Sequence, residues 1–277
     1  MSAIGQNERA VITGAGSGLG RALALELGRR GGRVLVSDID LSAAEDTATR
    51  VESAGGRARA QRCDVRVSAE VEALKATMDD AFGGTDLVVN NAGVAVGGRI
   101  GEVGLEDWRY AIDINLLGVV HGCHVFVPEM KQQGRGRILN VASSAGLVSM
   151  PILGPYNATK AAVVALSETL HAEVRRYGVS VTVLCPTFFT TNIGKSQRGT
   201  ASEADRALVE GLMRASRTQA DEVARAALRA LEAGELYCVP MLDGRLIRRA
   251  KALFPQGIAR LLGAGDMLRQ RYLDRQR

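Results

Sequence analysis

The feature that most limits the fold is a regular alternation of short β-branched apolar runs with longer segments of helical periodicity. Runs such as Val34-Leu35-Val36 lack the apolar–polar alternation of a half-exposed strand, so we expect strands that are buried on both faces. Repeated strand–helix units imply right-handed crossovers and a parallel sheet between two layers of helices. The predicted strands are Arg9–Thr13, Arg33–Ser37, Ala58–Cys63, Leu87–Asn90, Arg137–Ala142 and Ser180–Cys185.

No linker rich in Pro, Gly or Ser divides the 277 residues, which suit one large α/β domain. We predict an α/β fold for residues 1–240, a Rossmann-type doubly wound parallel sheet of about seven strands flanked by helices. Residues 241–277 are predicted to form a basic amphipathic helical tail. The tail has nine basic and three acidic residues against a net charge of +5 for the chain, so the main domain has almost no net charge. This distribution argues against a nucleic-acid-binding surface on the main domain.

The cysteines and the N-terminal residues indicate the cellular compartment in which the protein is expected. Four cysteines are scattered without a CxxC pair, which predicts reduced thiols and a cytoplasmic protein. The first nine residues contain no apolar stretch of the kind found in a signal peptide. No run of apolar residues is long enough for a membrane span, so we expect none.

A glycine-rich turn, Thr13-Gly-Ala-Gly-Ser-Gly-Leu-Gly20, follows the first predicted strand and opens a helix. Backbone without side chains can approach a pyrophosphate closely, and the N–H groups at the helix N-terminus favour the anion. A P-loop is excluded because Arg21 follows the last glycine. A simple tight turn is the alternative, but the position after the first strand favours a dinucleotide site. The candidate cofactor contacts here are Gly14, Gly16, Ser17, Gly18, Leu19 and Gly20.

Asp38 ends the second predicted strand, where a carboxylate can accept hydrogen bonds from both adenosine ribose hydroxyls. The same charge repels a 2′-phosphate, so the sequence predicts NAD as the cofactor, preferred over NADP. Arg33 and Arg62 are the nearby basic residues that could weaken this preference. The alternative is a solvated Asp, which is common at strand ends.

Two further strand ends carry candidate cofactor contacts. Ligands bind at the carboxyl ends of strands in sheets of this type. Each of these segments alone is ordinary turn chemistry, but together they line one edge of the sheet. The residues are Asp64 and Val65 after the third strand, and Asn91, Ala92 and Gly93 after the fourth.

Tyr156 and Lys160 lie four residues apart at the start of a predicted helix, so their side chains share one face. Lowering the pKa of a tyrosine from ~10 to ~7 requires ~4 kcal/mol. A cation about 4 Å away supplies ~4 kcal/mol at an effective dielectric near 20. The pair therefore suits a tyrosine that acts as a proton donor and acceptor, although an isolated pattern of this kind is usually a surface pair.

Two further polar residues support a catalytic role for Tyr156 and Lys160. Ser143, at the end of the fifth predicted strand, has a hydroxyl that can hydrogen-bond the reacting oxygen while Tyr156 transfers its proton. Asn115 lies in the middle of a predicted helix, where Asn is a poor helix former. A requirement other than helix formation is therefore expected to hold it there.

The ordered motifs resemble those of the short-chain dehydrogenase/reductase family, in its short single-domain branch, over about residues 9–240. They are the turn from Thr13 to Gly20, the segment Asn90-Asn91-Ala92-Gly93, and the set Asn115, Ser143, Tyr156 and Lys160. The resemblance implies that Tyr156 is the acid/base and that Ser143 orients the substrate carbonyl. It implies that Lys160 holds the nicotinamide ribose and lowers the pKa of Tyr156, while Asn115 helps to retain a water.

The resemblance also assigns cofactor contacts after the sixth strand. Pro186 lies there, and Thr191 falls where the family has a threonine that contacts the nicotinamide carboxamide. Thr187 departs from the family, which usually has glycine after this proline. As in the family, we expect a homodimer or homotetramer.

The tail leaves two outcomes open. Leucines and Phe254 recur at helical spacing among arginines, and Pro255 separates two predicted helices. Such a segment can bind a membrane surface. It can equally pack on the domain or on a partner subunit with its leucines buried, which is the outcome we expect.

The sequence predicts an NAD-dependent oxidoreductase that moves a hydride between the cofactor and an apolar, steroid- or lipid-like, secondary alcohol or ketone. The alternatives are a 3-oxoacyl-thioester reductase and a non-catalytic membrane-associated scaffold. No metal is expected, because His121 and His124 have no matching cluster of ligands. The apolar residues expected near the pocket are Val94, Val96, Leu147, Met150, Ile152, Leu153, Phe188 and Phe189.

Overall fold

A seven-stranded parallel sheet forms the centre of the computed structural model, which describes residues 4–189 and 198–275. The strand order β3-β2-β1-β4-β6-β7-β9 reverses between β1 and β4, as in a doubly wound fold. A short parallel pair, β5 with β8, lies apart from it. The strands are β1 (Arg9–Thr13), β2 (Arg33–Asp38), β3 (Arg57–Arg62), β4 (Leu87–Asn90), β5 (Val96–Gly97), β6 (Gly136–Val141), β7 (Val179–Leu184), β8 (Arg198–Gly199) and β9 (Tyr237–Cys238).

Helices cover both faces of this sheet and bury two hydrophobic cores. One core lies under α1, α2 and α8, and the other under α3, α5 and α6. Each residue of β4 and β7 is buried, as expected of strands packed on both faces. The helices are α1 (Gly18–Arg29), α2 (Leu41–Ser53), α3 (Ser68–Phe82), α4 (Leu105–Ile112), α5 (Gly118–Gln133), α6 (Gly154–Val174), α7 (Glu203–Ala215), α8 (Ala220–Ala233), α9 (Leu242–Leu253) and α10 (Pro255–Asp274).

The six predicted strands are confirmed, with ends that differ by one residue at most. The short strands β5, β8 and β9 were not predicted, because two residues carry no periodicity. Strand β9 forms through its pairing with β7, where Tyr237 lies beside Val183 and Cys238 beside Leu184. The seventh position of the main sheet therefore depends on tertiary pairing rather than on a local pattern.

Helices α4 and α5 are joined by a π-helical turn into one helical stretch, Leu105–Gln133. Among the described residues, this stretch alone is long and apolar enough to cross a membrane, and 44% of its most apolar window is buried. Phe126 and Met130 from α5 are fully buried in the core beside the sheet. In this fold the stretch is thus a core helix that packs on the sheet.

Helices α9 and α10 dock on the domain through polar groups and a close backbone contact. A Cβ on Gly244 would lie 2.7 Å from Cγ2 of Thr187, so α9 approaches more closely than a larger residue would allow. Lys251 donates to the carbonyl of Leu147 over 2.5 Å. Within residues 4–189 and 198–275, α10 forms two ion pairs with the domain, Arg99–Asp266 at 2.8 Å and Arg269–Asp205 at 2.5 Å.

The prediction that the tail leucines are buried against the domain is wrong, while their burial against a partner subunit stays a prediction. Leu242, Leu246 and Leu253 are 68%, 56% and 73% exposed. They recur at i, i+4 and i+11 on α9 and so share the face opposite Gly244, which is buried. Leu261 and Leu268 on α10 are similarly exposed. The helical period was predicted correctly, but its apolar stripe faces away from the domain.

Candidate active site

The glycine-rich turn between β1 and α1 is held against the loop after β4. Gly14 has φ +62°, and a Cβ there would lie 2.7 Å from Cα of Ala92. A Cβ on Gly20 would lie 2.4 Å from the carbonyl oxygen of Gly14. The side-chain amide of Asn91 donates to the carbonyls of Thr13 and Gly14 at 2.8 and 2.9 Å. Glycine is therefore required for the close packing of these segments.

Asp38 faces this turn from the end of β2. Its carboxylate accepts from the backbone N–H of Gly16 at 2.8 Å and lines the same cavity as the turn. The two basic residues named from the sequence are directed elsewhere. Arg33 donates to the side chain of Asn7 at 3.0 Å, and Arg62 forms an ion pair with Glu70 at 2.8 Å. Neither arginine pairs with the Asp38 carboxylate.

Asp64, after β3, has a basic partner that the sequence argument missed. Arg66 forms an ion pair with it at 2.5 Å, and hydrogen bonding by the Arg66 side chain holds the pKa of the Asp64 carboxyl below its usual value. The signal in the sequence was an arginine two residues away. Asp64 and Val65 both line the cavity beside Asn91, Ala92 and Gly93.

Ser143 and Tyr156 meet where β6 ends and α6 begins. The Ser143 hydroxyl caps a short 3-10 turn by accepting from the N–H of Ala145 at 3.1 Å. It also hydrogen-bonds the phenol of Tyr156, which is in the first turn of α6. Burial raises the pKa of Tyr156, and the bond to Ser143 only partly opposes that rise.

Lys160 lies one helical turn after Tyr156 and is buried. Its ammonium donates to the carbonyl of Val141 at 2.9 Å and lies 5.8 Å from the centre of the Tyr156 ring. Burial lowers the pKa of Lys160 to about 8. Burial dominates the pKa of Tyr156 in this structure, so the expectation that Lys160 lowers this pKa stays a prediction.

Asn115 lies in the π-helical turn Asp113–Leu117 between α4 and α5. Its side chain is fully buried, accepts from the N–H of Val94 at 2.8 Å, and donates to the carbonyl of Val94 at 3.0 Å. It also donates to the hydroxyl of Thr159, which precedes Lys160. These contacts explain an asparagine in mid-helix, and π-helical turns are frequent at functional sites. Asn115 lies behind the cavity wall and fixes two of its segments.

One cavity of 550 Å³ joins these elements at the carboxyl ends of the strands. It contains most of the site residues named from the sequence, whereas Gly16, Gly20 and Asn115 lie behind its wall. Thr191 lies outside the described residues, so its expected contact stays a prediction. The named residues that line the cavity are Gly14, Ser17, Gly18, Leu19, Asp38, Asp64, Val65, Asn91, Ala92, Gly93, Ser143, Tyr156, Lys160 and Pro186.

A large part of the cavity lining is apolar. Of the eight apolar residues named from the sequence, Val94, Met150, Leu153, Phe188 and Phe189 line it. Val96, Leu147 and Ile152 do not, and Val96 instead packs in a small core with Val103. Residues from distant helices also line the cavity, and no local pattern in the sequence predicts them. They are Tyr110 from α4, Val209 and Met213 from α7, and Ile247 from α9.

The histidines near the site have no arrangement for a metal. A ring nitrogen of His121 lies 2.8 Å from the carbonyl oxygen of Val65 and so links α5 to the loop after β3. Within residues 4–189 and 198–275, no three His, Cys, Asp or Glu side chains are grouped as metal ligands.

Comparison with known proteins gives consistent matches. The family model described as short chain dehydrogenase matches residues 8–202. The putative oxidoreductase SadH of Mycobacterium tuberculosis is 32% identical over 92% of this chain and 94% of its own length. Cyclohexanol dehydrogenase of an Acinetobacter strain is 37% identical over 67% of this chain and 74% of its own length. The probable oxidoreductase EphD of Mycobacterium bovis is 36% identical over 72% of this chain, but the match spans only 34% of EphD.

Two solved structures with bound cofactors are similar in fold. A short-chain dehydrogenase/reductase from Burkholderia phymatum in complex with NAD has a TM-score of 0.84 and 34% identity, over 91% of this chain and 95% of its own. An alcohol dehydrogenase from Thermococcus sibiricus complexed with 5-hydroxy-NADP has a TM-score of 0.73 and 28% identity, over 84% of this chain and 96% of its own. A nicotinamide dinucleotide is thus the cofactor type of these neighbours.

Proposed function

Because the chain belongs to the short-chain dehydrogenase family and is an oxidoreductase that acts on CH–OH groups, we propose that it is an NAD-dependent dehydrogenase of apolar secondary alcohols or the corresponding ketones. The observation that carries the proposal is one cavity whose lining includes both Asp38 and the set Ser143, Tyr156 and Lys160. The cavity thus joins groups suited to a dinucleotide and to proton transfer.

The residues present fit NAD. The glycine turn offers backbone N–H groups to the pyrophosphate, and Asp38 offers a carboxylate to the adenosine ribose. A 2′-phosphate would meet the charge of Asp38, while Arg33 and Arg62 are engaged with other partners. When bound, the nicotinamide accepts or supplies the hydride. We assign Lys160 and Pro186 to its nicotinamide half, together with Thr191 as predicted from the sequence.

The chain's own residues supply the proton chemistry in this proposal. Tyr156 removes the hydroxyl proton of the alcohol, or donates a proton to the ketone oxygen in the reverse direction. Ser143, already hydrogen-bonded to Tyr156, orients the same oxygen. Lys160 holds the ribose, and Asn115 positions the segments of Val94 and Thr159 around it.

The apolar residues of the cavity lining support an apolar substrate. Phe188, Phe189, Met213 and Ile247 offer hydrocarbon surface without a charged side chain among them. Asp243 also lines the cavity, and its carboxylate accepts from the hydroxyl of Thr187 at 3.1 Å. A steroid- or lipid-like alcohol fits this lining better than a phosphorylated one.

We further propose a homodimer or homotetramer in the cytoplasm. The family usually assembles from identical subunits. All four cysteines are buried and free, which suits a reducing compartment. Light scattering of the purified protein tests the assembly directly.

The experiment compares kcat/KM for NAD and NADP with a panel of secondary alcohols that includes cyclohexanol. We expect kcat/KM to be higher with NAD than with NADP. Asp38→Asn should bring the two values closer together, because it removes the repulsion of the 2′-phosphate. Arg57→Gln on β3 is the control, since that side chain is exposed and does not line the cavity. Equal use of both cofactors by the unaltered protein would overturn the proposed cofactor preference.

A further inference from the structure

The docked helix pair α9 and α10 leaves its apolar side uncovered. Eight of the seventeen large apolar side chains exposed in the described residues lie on these two helices, and a ninth, Phe254, lies between them. On α9, Leu242, Leu246 and Leu253 form a stripe that points away from the domain, while Gly244 holds the opposite side in place. An apolar stripe of this kind on a soluble domain marks a surface that binds something else.

Arginines lie along one side of this stripe. A groove of 800 Å³ between α8 and α9 is lined by Arg229, Arg245, Arg248 and Arg249, with Glu235 as its one acidic residue among the described side chains. Arg245 is bound to the carbonyls of Val239 and Pro240, and Arg248 lies over the ring of Tyr237 at 3.8 Å. Arg229 and Arg249 form no ion pair within residues 4–189 and 198–275 and are exposed.

We propose that the leucine stripe and the arginine groove together bind the surface of an anionic membrane. Leucines that enter the interface beside arginines at the level of lipid phosphates are the pattern of an interfacial amphipathic helix. A second copy of this chain fits less well, because it would bring two segments with nine basic and three acidic residues each against one another. Charge complementarity therefore favours the anionic lipid surface.

The position of α9 connects this surface to the active-site cavity. Ile247 follows Leu246 in the sequence and lines the cavity. A membrane that contacts α9 therefore contacts a helix that lines the cavity, and apolar alcohols concentrate in membranes. This consequence rests on the proposed function, whereas membrane binding itself does not depend on it.

The test is co-sedimentation of the full-length protein with vesicles of phosphatidylcholine alone or mixed with phosphatidylglycerol. We expect binding to the anionic vesicles that weakens as salt rises. The triple variant Leu242→Gln, Leu246→Gln, Leu253→Gln should lose binding while its Tm stays unchanged, because these side chains are exposed. Arg229→Gln and Arg249→Gln should each weaken binding about fivefold, the equivalent of ~1 kcal/mol per charge near such a surface.

Matched controls distinguish binding through the leucine stripe and the arginine groove from nonspecific adsorption to vesicles. Leu105→Gln removes a leucine that is 71% exposed on α4, and Arg57→Gln removes an exposed arginine on β3, and both should bind as the unaltered protein does. No binding to anionic vesicles at low salt would overturn the proposal. So would a triple variant that still binds vesicles, or one that instead changes the oligomeric state in size-exclusion chromatography. Because turnover is not the readout, these results are independent of the proposed enzymatic function.

Discussion

The cofactor edge of the sheet and the C-terminal helix pair use glycine in opposite ways. At the edge, a Cβ on Gly20 would meet the carbonyl of Gly14 and the side chain of Asn91 within 2.5 Å. On α10, a Cβ on Gly263 would meet nothing within 4 Å. The first region is closely packed around a cavity, whereas the second touches the domain on one side and is open on the other. The difference indicates that the edge must be rigid for its function and that α10 need not be.

Among the changes that test packing and burial, the largest effect is expected at the cofactor edge. Gly20→Ala should weaken NADH binding by tenfold or more, because overpacking costs ~1–3 kcal/mol and tenfold corresponds to ~1.4 kcal/mol. The measurement is an NADH titration followed by fluorescence of Trp108, the one tryptophan of the chain. Gly263→Ala is the control and should bind NADH normally. Unchanged affinity in Gly20→Ala would mean that the turn does not hold the cofactor.

The burial of Lys160 predicts an effect of intermediate size on the free energy of unfolding, and this effect depends on pH. The pKa of Lys160 is about 8 in the folded protein, while a lysine in an unfolded chain has a pKa of ~10.4. Between these values the unfolded chain binds more protons, so this residue makes stability rise with pH. Lys160→Met removes this pH-dependent contribution to stability. Its stability relative to the unaltered protein should therefore fall as pH rises from 8 to 10, by up to ~1.4 kcal/mol per pH unit.

Urea unfolding of both proteins without cofactor, at several pH values in that window, measures this difference. A difference that stays constant with pH would show that Lys160 keeps an ordinary pKa and that its burial has little electrostatic consequence.

The smallest effect is expected on the open side of α10. Gly263→Ala should raise the free energy of unfolding by ~0.5–1 kcal/mol, because alanine favours a helix over glycine and the added methyl group meets no atom. Thermal unfolding followed by circular dichroism checks it. A loss of stability would indicate that Gly263 is packed against something in solution, such as a partner subunit.

Much of the fold could be predicted because its signals are local. The apolar runs at β1 and β7 and the glycine turn need no knowledge of distant contacts. Strand β9 could not be predicted, since two residues form it only by pairing with β7. The division into residues 1–240 and 241–277 stays a prediction.

The site likewise contains residues that the sequence predicts and residues that it does not. The spacing of four residues predicts Tyr156 and Lys160, but burial, which the sequence does not report, raises the pKa of Tyr156 in this structure. Ile247 and Met213 reach the cavity from distant helices, and the direction of the leucine stripe on α9 depends on the close contact at Gly244. Helical period can be read from a sequence, whereas the side on which a helix docks is decided by its partners.

The central claim is that proton transfer occurs at Tyr156 on the packed edge of the sheet, and Tyr156→Phe tests it most directly. This variant removes the phenol oxygen and keeps the ring. Measured with NAD and an alcohol that the unaltered protein oxidises, turnover should fall by ~10²–10⁴-fold while NADH affinity is unchanged. Turnover that stays close to that of the unaltered protein would contradict the account, since proton transfer would then belong to another group.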